Sequence, residues 1–136
     1  MRWSSARRAP GADMQSHDLK AILGGISEED MSLQRGDPSR IFARLDQCVV
    51  GAVRFSGLPP WERHPAGDQL LQVLEGELEI CVLAPEGRTS FALQAGSVFV
   101  IPRGLWHRTY PRGAVSMLFV TPTSGGEESW ADDPLK

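Results

Sequence analysis

Three histidines occur in this 136-residue chain, and two of them sit where an imidazole can do chemistry. His64 lies in the string Trp61-Glu62-Arg63-His64-Pro65-Ala66-Gly67-Asp68-Gln69, followed by six residues and Gly76. His107 closes a second string: Gly96, five residues, Pro102-Arg103-Gly104, two residues, His107. Glu62 and His64 are two apart, so on a strand they project to the same side. Two imidazoles and one carboxylate make up the donor set of a facial triad, which suits Fe(II) and also Mn, Ni, Co or Zn. Gln69 can add a neutral carbonyl oxygen. A single histidine beside a turn reads more simply as a surface or hydrogen-bonded structural residue, and only the joint placement of two with a carboxylate points to a metal. His17 belongs to the N-terminal segment and is expected at the surface.

Donors so far apart in sequence need a frame that brings distant strands together. The chain holds 14 Gly and 10 Pro, above the background of about 12% but below the roughly 25% of low-complexity chains, so it is folded and rich in turns. Its length fits one domain. An apolar fraction of 41% suffices for one core, and no run approaches the roughly 18 apolar residues of a membrane helix. From Cys48 onward, short apolar runs end at Gly or Pro, which is strand patterning. Strands are predicted over 47–56, 70–75, 77–83, 89–93, 97–101, 106–110 and 114–121. That pattern implies an all-β sandwich or barrel, and the absence of helical patterns between strands excludes a parallel βαβ fold. Upstream, Leu19, Ile22, Leu23 and Ile26 behind Asp18 predict one short N-terminal helix, which Gly24-Gly25 weakens and packing must support. From Thr123 the chain turns polar and acidic, and Trp130 is the large apolar group that could fold that tail back.

A net charge of −3 with scattered basic residues argues against a nucleic-acid partner. Residues 1–16 carry Arg2, Arg7 and Arg8 against Asp13 and are expected to form a disordered basic arm, with Met14 or Met31 as an alternative start. No apolar run follows Arg7-Arg8, so export is not expected and the protein is placed in the cytoplasm. Cys48 and Cys81 lack the spacing of a zinc ribbon and are read as reduced thiols, with a single bridge between them left open.

The two histidine strings resemble the paired motifs of the cupin superfamily. The family's first motif runs His-x-His, three or four residues, Glu, six residues, Gly; here Glu62 takes the first His position and Gln69 the Glu position. Its second motif is matched through His107, with Pro111 where the family carries a terminal Asn. The Trp61-Glu62-x-His64-Pro65-x-Gly67-Asp68 string is similar to a branch of small single-domain bacterial cupins that use Glu-x-His. The resemblance covers about 47–121 and implies a double-stranded β-helix, the jelly-roll barrel, within a domain over 17–136. It also implies a homodimer paired through edge strands, with the N-terminal helix stripe and the strand near 49–55 as candidate contacts.

On this reading one divalent transition metal (Fe, Mn, Ni, Co or Zn) is held by Glu62, His64 and His107, with Gln69 as fourth donor. Gln in place of Glu removes a negative charge and should weaken metal binding. As an enzyme, the protein would be a metal-dependent dioxygenase or isomerase acting on a small oxygenated metabolite, with Glu62 as catalytic general base. The alternative is a non-catalytic ligand-binding or sensor cupin, with or without metal. Of Trp61, Phe55, Phe99, Trp106, Met117 and Phe119, most are expected in the core and some at the barrel mouth. Arg54 is read as outer-face, or else aimed at a substrate carboxylate. Arg103 and Arg108 are expected as exposed turn charges, and Asp68 as a turn cap.

Overall fold

The structure, a computed structural model, describes residues 14–136, so nearly all of the expected basic arm lies outside the described residues. Two short helices, α1 (Leu19–Gly24) and α2 (Glu28–Met31), precede ten strands. These are β1 (Ser39–Leu45), β2 (Cys48–Phe55), β3 (Trp61–Arg63), β4 (Gln69–Glu75), β5 (Glu77–Ala84), β6 (Gly87–Gln94), β7 (Val98–Ile101), β8 (His107–Pro111), β9 (Val115–Pro122) and β10 (Glu127–Ser129). They form two five-stranded sheets, ordered β1-β2-β9-β4-β7 and β10-β3-β8-β5-β6. Every pairing is antiparallel. This is the all-β jelly roll that the family resemblance implies, within the sandwich-or-barrel class expected from the strand spacing.

Strand alternation explains the core. Val49, Val53 and Phe55 of β2, Leu71 and Val73 of β4, and Val115, Met117 and Phe119 of β9 point inward from the first sheet and meet Leu78, Ile80 and Val82 of β5. On the outer face of the first sheet, Leu23, Ile26 and Met31 of the helical segment cover Ala52, whose small side chain lets the helices approach. Asp18 caps α1 by accepting from the backbone N–H of Lys20 and Ala21, as the sequence predicts. The outer face of the second sheet carries a separate cluster of Trp61, Cys81 and Trp106.

Three strands were not predicted. β1 is covered on both faces, with Ile41 on the barrel core and Phe42 on the helices, and carries a register shift between Ile41 and Ala43, so no simple alternation is visible. β3 has three residues after Pro59-Pro60, too few to show a period. β10 is polar and is held by backbone pairing to β3 rather than by burial. The acidic tail thus folds back. The dimer contacts expected from the sequence need correction: β2 lies between β1 and β9 and is not an edge, and the helix stripe is packed on its own sheet. Cys48 and Cys81 are free thiols. No helix among the described residues is long and apolar enough to cross a membrane.

Gly76, between β4 and β5, has φ +82°, and a methyl group there would overlap the carbonyl oxygen of Ala114. Gly113 has φ +74° but open space around it. Gly113→Ala should therefore cost about 1–2 kcal/mol from backbone conformation alone. Gly76→Ala should cost measurably more, about 3 kcal/mol or above, because overlap with a fixed backbone is added. Equal losses for the two variants in urea unfolding would contradict this account.

Candidate metal centre

β3 and β8 lie side by side with Glu62 opposite His107. His64 follows β3 directly, so Glu62 and His64 share a side as strand geometry requires. The structure brings Glu62, His64 and His107 together, and one donor atom from each lies within 4.8 Å of the others. His64 Nε2 is 3.8 Å from Glu62 Oε2, and the two imidazole centroids are 5.7 Å apart with planes tilted by 36°. Both histidines are buried, and the Glu62 side chain is 12% exposed.

The loops that deliver these residues are tied to one another. The backbone carbonyl of His64 accepts from the N–H of Gly67 at 3.4 Å and of Gly104 at 3.1 Å. Gly104 reaches it from the Pro102-Arg103-Gly104 turn, where its φ is +76°. Asp68 accepts from the backbone N–H of Arg103 at 2.8 Å, and Arg103 Nη2 donates to the Ala66 carbonyl. Asp68 is thus a clasp between the two motif loops, a longer reach than the local turn cap expected.

The two imidazoles are held differently. His107 Nδ1 lies 3.1 Å from the Leu105 carbonyl. That acceptor calls for the proton on Nδ1, which leaves the Nε2 lone pair for a ligand. Among the described residues neither ring nitrogen of His64 has a hydrogen-bond partner. The backbone of Gly126, from the turn before β10, packs on its ring, and a methyl group there would lie 3.5 Å from Nδ1. Gln69 is buried on β4, where its Nε2 donates to Thr121 Oγ1 at 2.8 Å and its Oε1 has no partner. Glu62, His107 and Gln69 line one cavity of about 370 Å³, whereas His64 is not part of its wall.

Burial pushes the Glu62 carboxyl up, but contact with His64 and the His107 charge outweigh it and hold the group below its ordinary 4.5. Burial drives the His107 imidazole below its ordinary 6.5, against Glu62 and the Leu105 carbonyl, which favour the charged form. At neutral pH the arrangement is one carboxylate beside a neutral imidazole, the ionisation states of metal ligands.

Other expectations fare unevenly. Phe55 and Met117 line the cavity, Phe119 is interior core, and Trp61 and Trp106 form the outer cluster. Arg54 is not in the cavity wall. Arg108, expected as an exposed charge, is only 9% exposed. Its Nε donates to the Pro59 carbonyl at 2.8 Å, and its guanidinium lies 6.0 Å from the Trp61 ring centroid, so the head group is held inside rather than in solvent. Residues the sequence did not single out are Thr121, which orients Gln69, Leu105, whose carbonyl orients His107, and Glu128, which β10 brings to the cavity wall. Trp130 reaches that wall too, and its being the large apolar group of the tail is the signal that could have placed it there.

The matching family model is the cupin domain, over residues 55–121, and the chain belongs to the cupin family. It is 42% identical over 92 residues to the uncharacterized protein YdbB of Bacillus subtilis (strain 168), spanning 68% of this chain and 73% of that one. The crystal structure of protein NMB1881 from Neisseria meningitidis superposes with a TM-score of 0.63 at 21% identity, covering 79% of this chain and 99% of that one. An oxalate oxidase in complex with glycolate superposes at 0.57 with 23% identity, covering 70% and 57%. At those identities the likeness is one of fold.

The direction of the His107 shift sets a pH dependence. Unfolded His107 takes up a proton around pH 6.5 and the folded residue only at lower pH, so between those values the unfolded chain binds more protons. Stability is therefore present above about pH 6.5 and is lost as pH falls through the folded value; Glu62 acts in the same sense below 4.5. The melting temperature of metal-free protein should drop between about pH 7 and 5, and His107→Gln should flatten that step. Stabilisation of the wild type on mild acidification would contradict it.

Proposed function

We propose that the protein is a small metal-binding cupin that holds one divalent transition metal on Glu62, His64 and His107, with Gln69 Oε1 as fourth donor, and acts on a small oxygenated metabolite. What supports this most is the set of buried donors: three within 4.8 Å of one another, with both His64 nitrogens and Gln69 Oε1 lacking a hydrogen-bond partner among the described residues. Such groups are costly to bury unsatisfied, and two imidazoles with a carboxylate suit Fe, Mn, Ni, Co or Zn. The ion would supply a Lewis acid for a carbonyl, enol or hydroxyl, or a redox centre, the chemistry of a dioxygenase or isomerase.

The chain's own residues do the rest. Glu62, held ionised and lying in the cavity wall, is the carboxylate placed to accept a substrate proton on an Oε atom. The Leu105 carbonyl keeps the His107 ring in one tautomer, and Thr121 turns the Gln69 carbonyl oxygen away from itself. Phe55, Leu71 and Met117 exclude water around these groups. Gln69 also favours a second reading, a binding or sensor domain, because its neutral amide is already engaged with Thr121.

Elemental analysis and metal titration of chelator-treated protein should give about one ion per chain, with uptake lost in His64→Ala and His107→Ala. Glu62→Ala should lose turnover with the fold intact. Less than about a tenth of an equivalent, with no uptake on titration, would overturn the metal reading. Gln69→Glu restores a charge while Thr121 switches from accepting to donating its hydroxyl hydrogen bond, and should tighten metal binding about tenfold or more.

A further inference from the structure

The cavity lined by Glu62, Gln69 and His107 is shaped for more than a two-carbon acid. Its volume of about 370 Å³ falls at the lower end of the roughly 300–1,000 Å³ typical of sites for organic ligands. Around Glu62, Gln69 and His107 the wall is mostly carbon, with Phe55, Leu71, Met117 and Trp130 supplying most of the large apolar side chains. Among the described residues the charged ones in the lining are three carboxylates, Asp37, Glu62 and Glu128, and one guanidinium, Arg108. Asp37 is engaged by the Ser39 N–H and hydroxyl, and Arg108 Nε by the Pro59 carbonyl. A divalent ion with one carboxylate ligand leaves one positive charge, so a dianion would leave a net negative charge against a mostly apolar wall.

Trp130 is placed there by a specific device. β10 pairs with β3 along Glu127–Arg63, Glu128–Glu62 and Ser129–Trp61, and Arg63 bonds Glu127. The next residue, Trp130, lines the cavity although it is 63% exposed. An indole that lines a cavity and remains largely in water lies at its mouth, where it can cover a flat guest.

We infer that the substrate is an organic molecule with an uncharged apolar body of about one ring, carrying its metal-binding oxygens at one end, and that Trp130 selects it by contacting that body. This rests on the metal reading above and narrows it to a substrate class unlike oxalate or glycolate.

Two chelators with the same metal-binding group test it. On protein loaded with the ion it takes up, benzohydroxamate should bind at least about tenfold tighter than acetohydroxamate by calorimetry, because its ring is removed from water. Trp130→Ala, at an exposed position that costs little stability, should cut that ratio to below about threefold and leave acetohydroxamate binding unchanged. Oxalate should bind no tighter than acetohydroxamate. Equal affinity for the two hydroxamates, equal weakening of both by Trp130→Ala, or tighter binding of oxalate would overturn the inference while leaving the metal site standing. If no ion is taken up, the metal reading fails and the wall is tested alone in metal-free protein. Benzyl alcohol should then raise the melting temperature of wild type more than that of Trp130→Ala, and equal or absent shifts would overturn the inference.

Discussion

A strand of three residues cannot fix its own register, and β3 meets β8 at a single register pair, Glu62 opposite His107. What holds it is burial on its other face. Trp61 is fully buried against Cys81 and Trp106, and Arg63 lies 4.7 Å above the Trp106 ring. A slip of one residue would drive the indole into the barrel and turn Glu62 and His64 outward. The large transfer energy of a tryptophan therefore determines where two polar donors point. The His64 carbonyl completes the restraint by accepting from both motif loops, so the first histidine and the turn that precedes the second are fixed by one oxygen atom.

The polar groups inside the barrel divide into those with a protein partner and those without. His107 and the amide nitrogen of Gln69 are oriented by Leu105 and Thr121, while the nitrogens of His64 and the oxygen of Gln69 are not. In a core lined by Val53, Phe55, Leu71 and Met117 this contrast carries information, because apolar surroundings make an unmatched donor costly. The lowered values of Glu62 and His107 express the same balance from the side of protonation.

Much of this was legible in the sequence. Gly76, Gly96 and Gly104 take positive φ at corners where the residue type alone suggested turns, and the spacing between those corners placed the strands that carry Gln69 and His107. Glu62 and His64 were recognisable from their two-residue separation. What escaped was whatever depends on packing across sheets. β1 hides its period because both its faces are covered, Ile41 by the barrel core and Phe42 by the helices. β10 has no apolar pattern because pairing with β3 holds it. Arg108 looked like a surface charge because nothing local shows that its guanidinium will meet Pro59 and Trp61.

The family match ends at residue 121 and begins at 55, yet the cavity draws wall residues from both sides of that range: Leu33 and Pro38 upstream, Glu128 and Trp130 downstream. The donor set thus lies wholly within the matched stretch, while part of the cavity wall comes from the flanks. Exchange of either flank would alter that part of the wall while leaving Glu62, His64, Gln69 and His107 in place. Likeness over the matched stretch therefore speaks for the donors and the inner wall, and the outer wall has to be compared through the flanks.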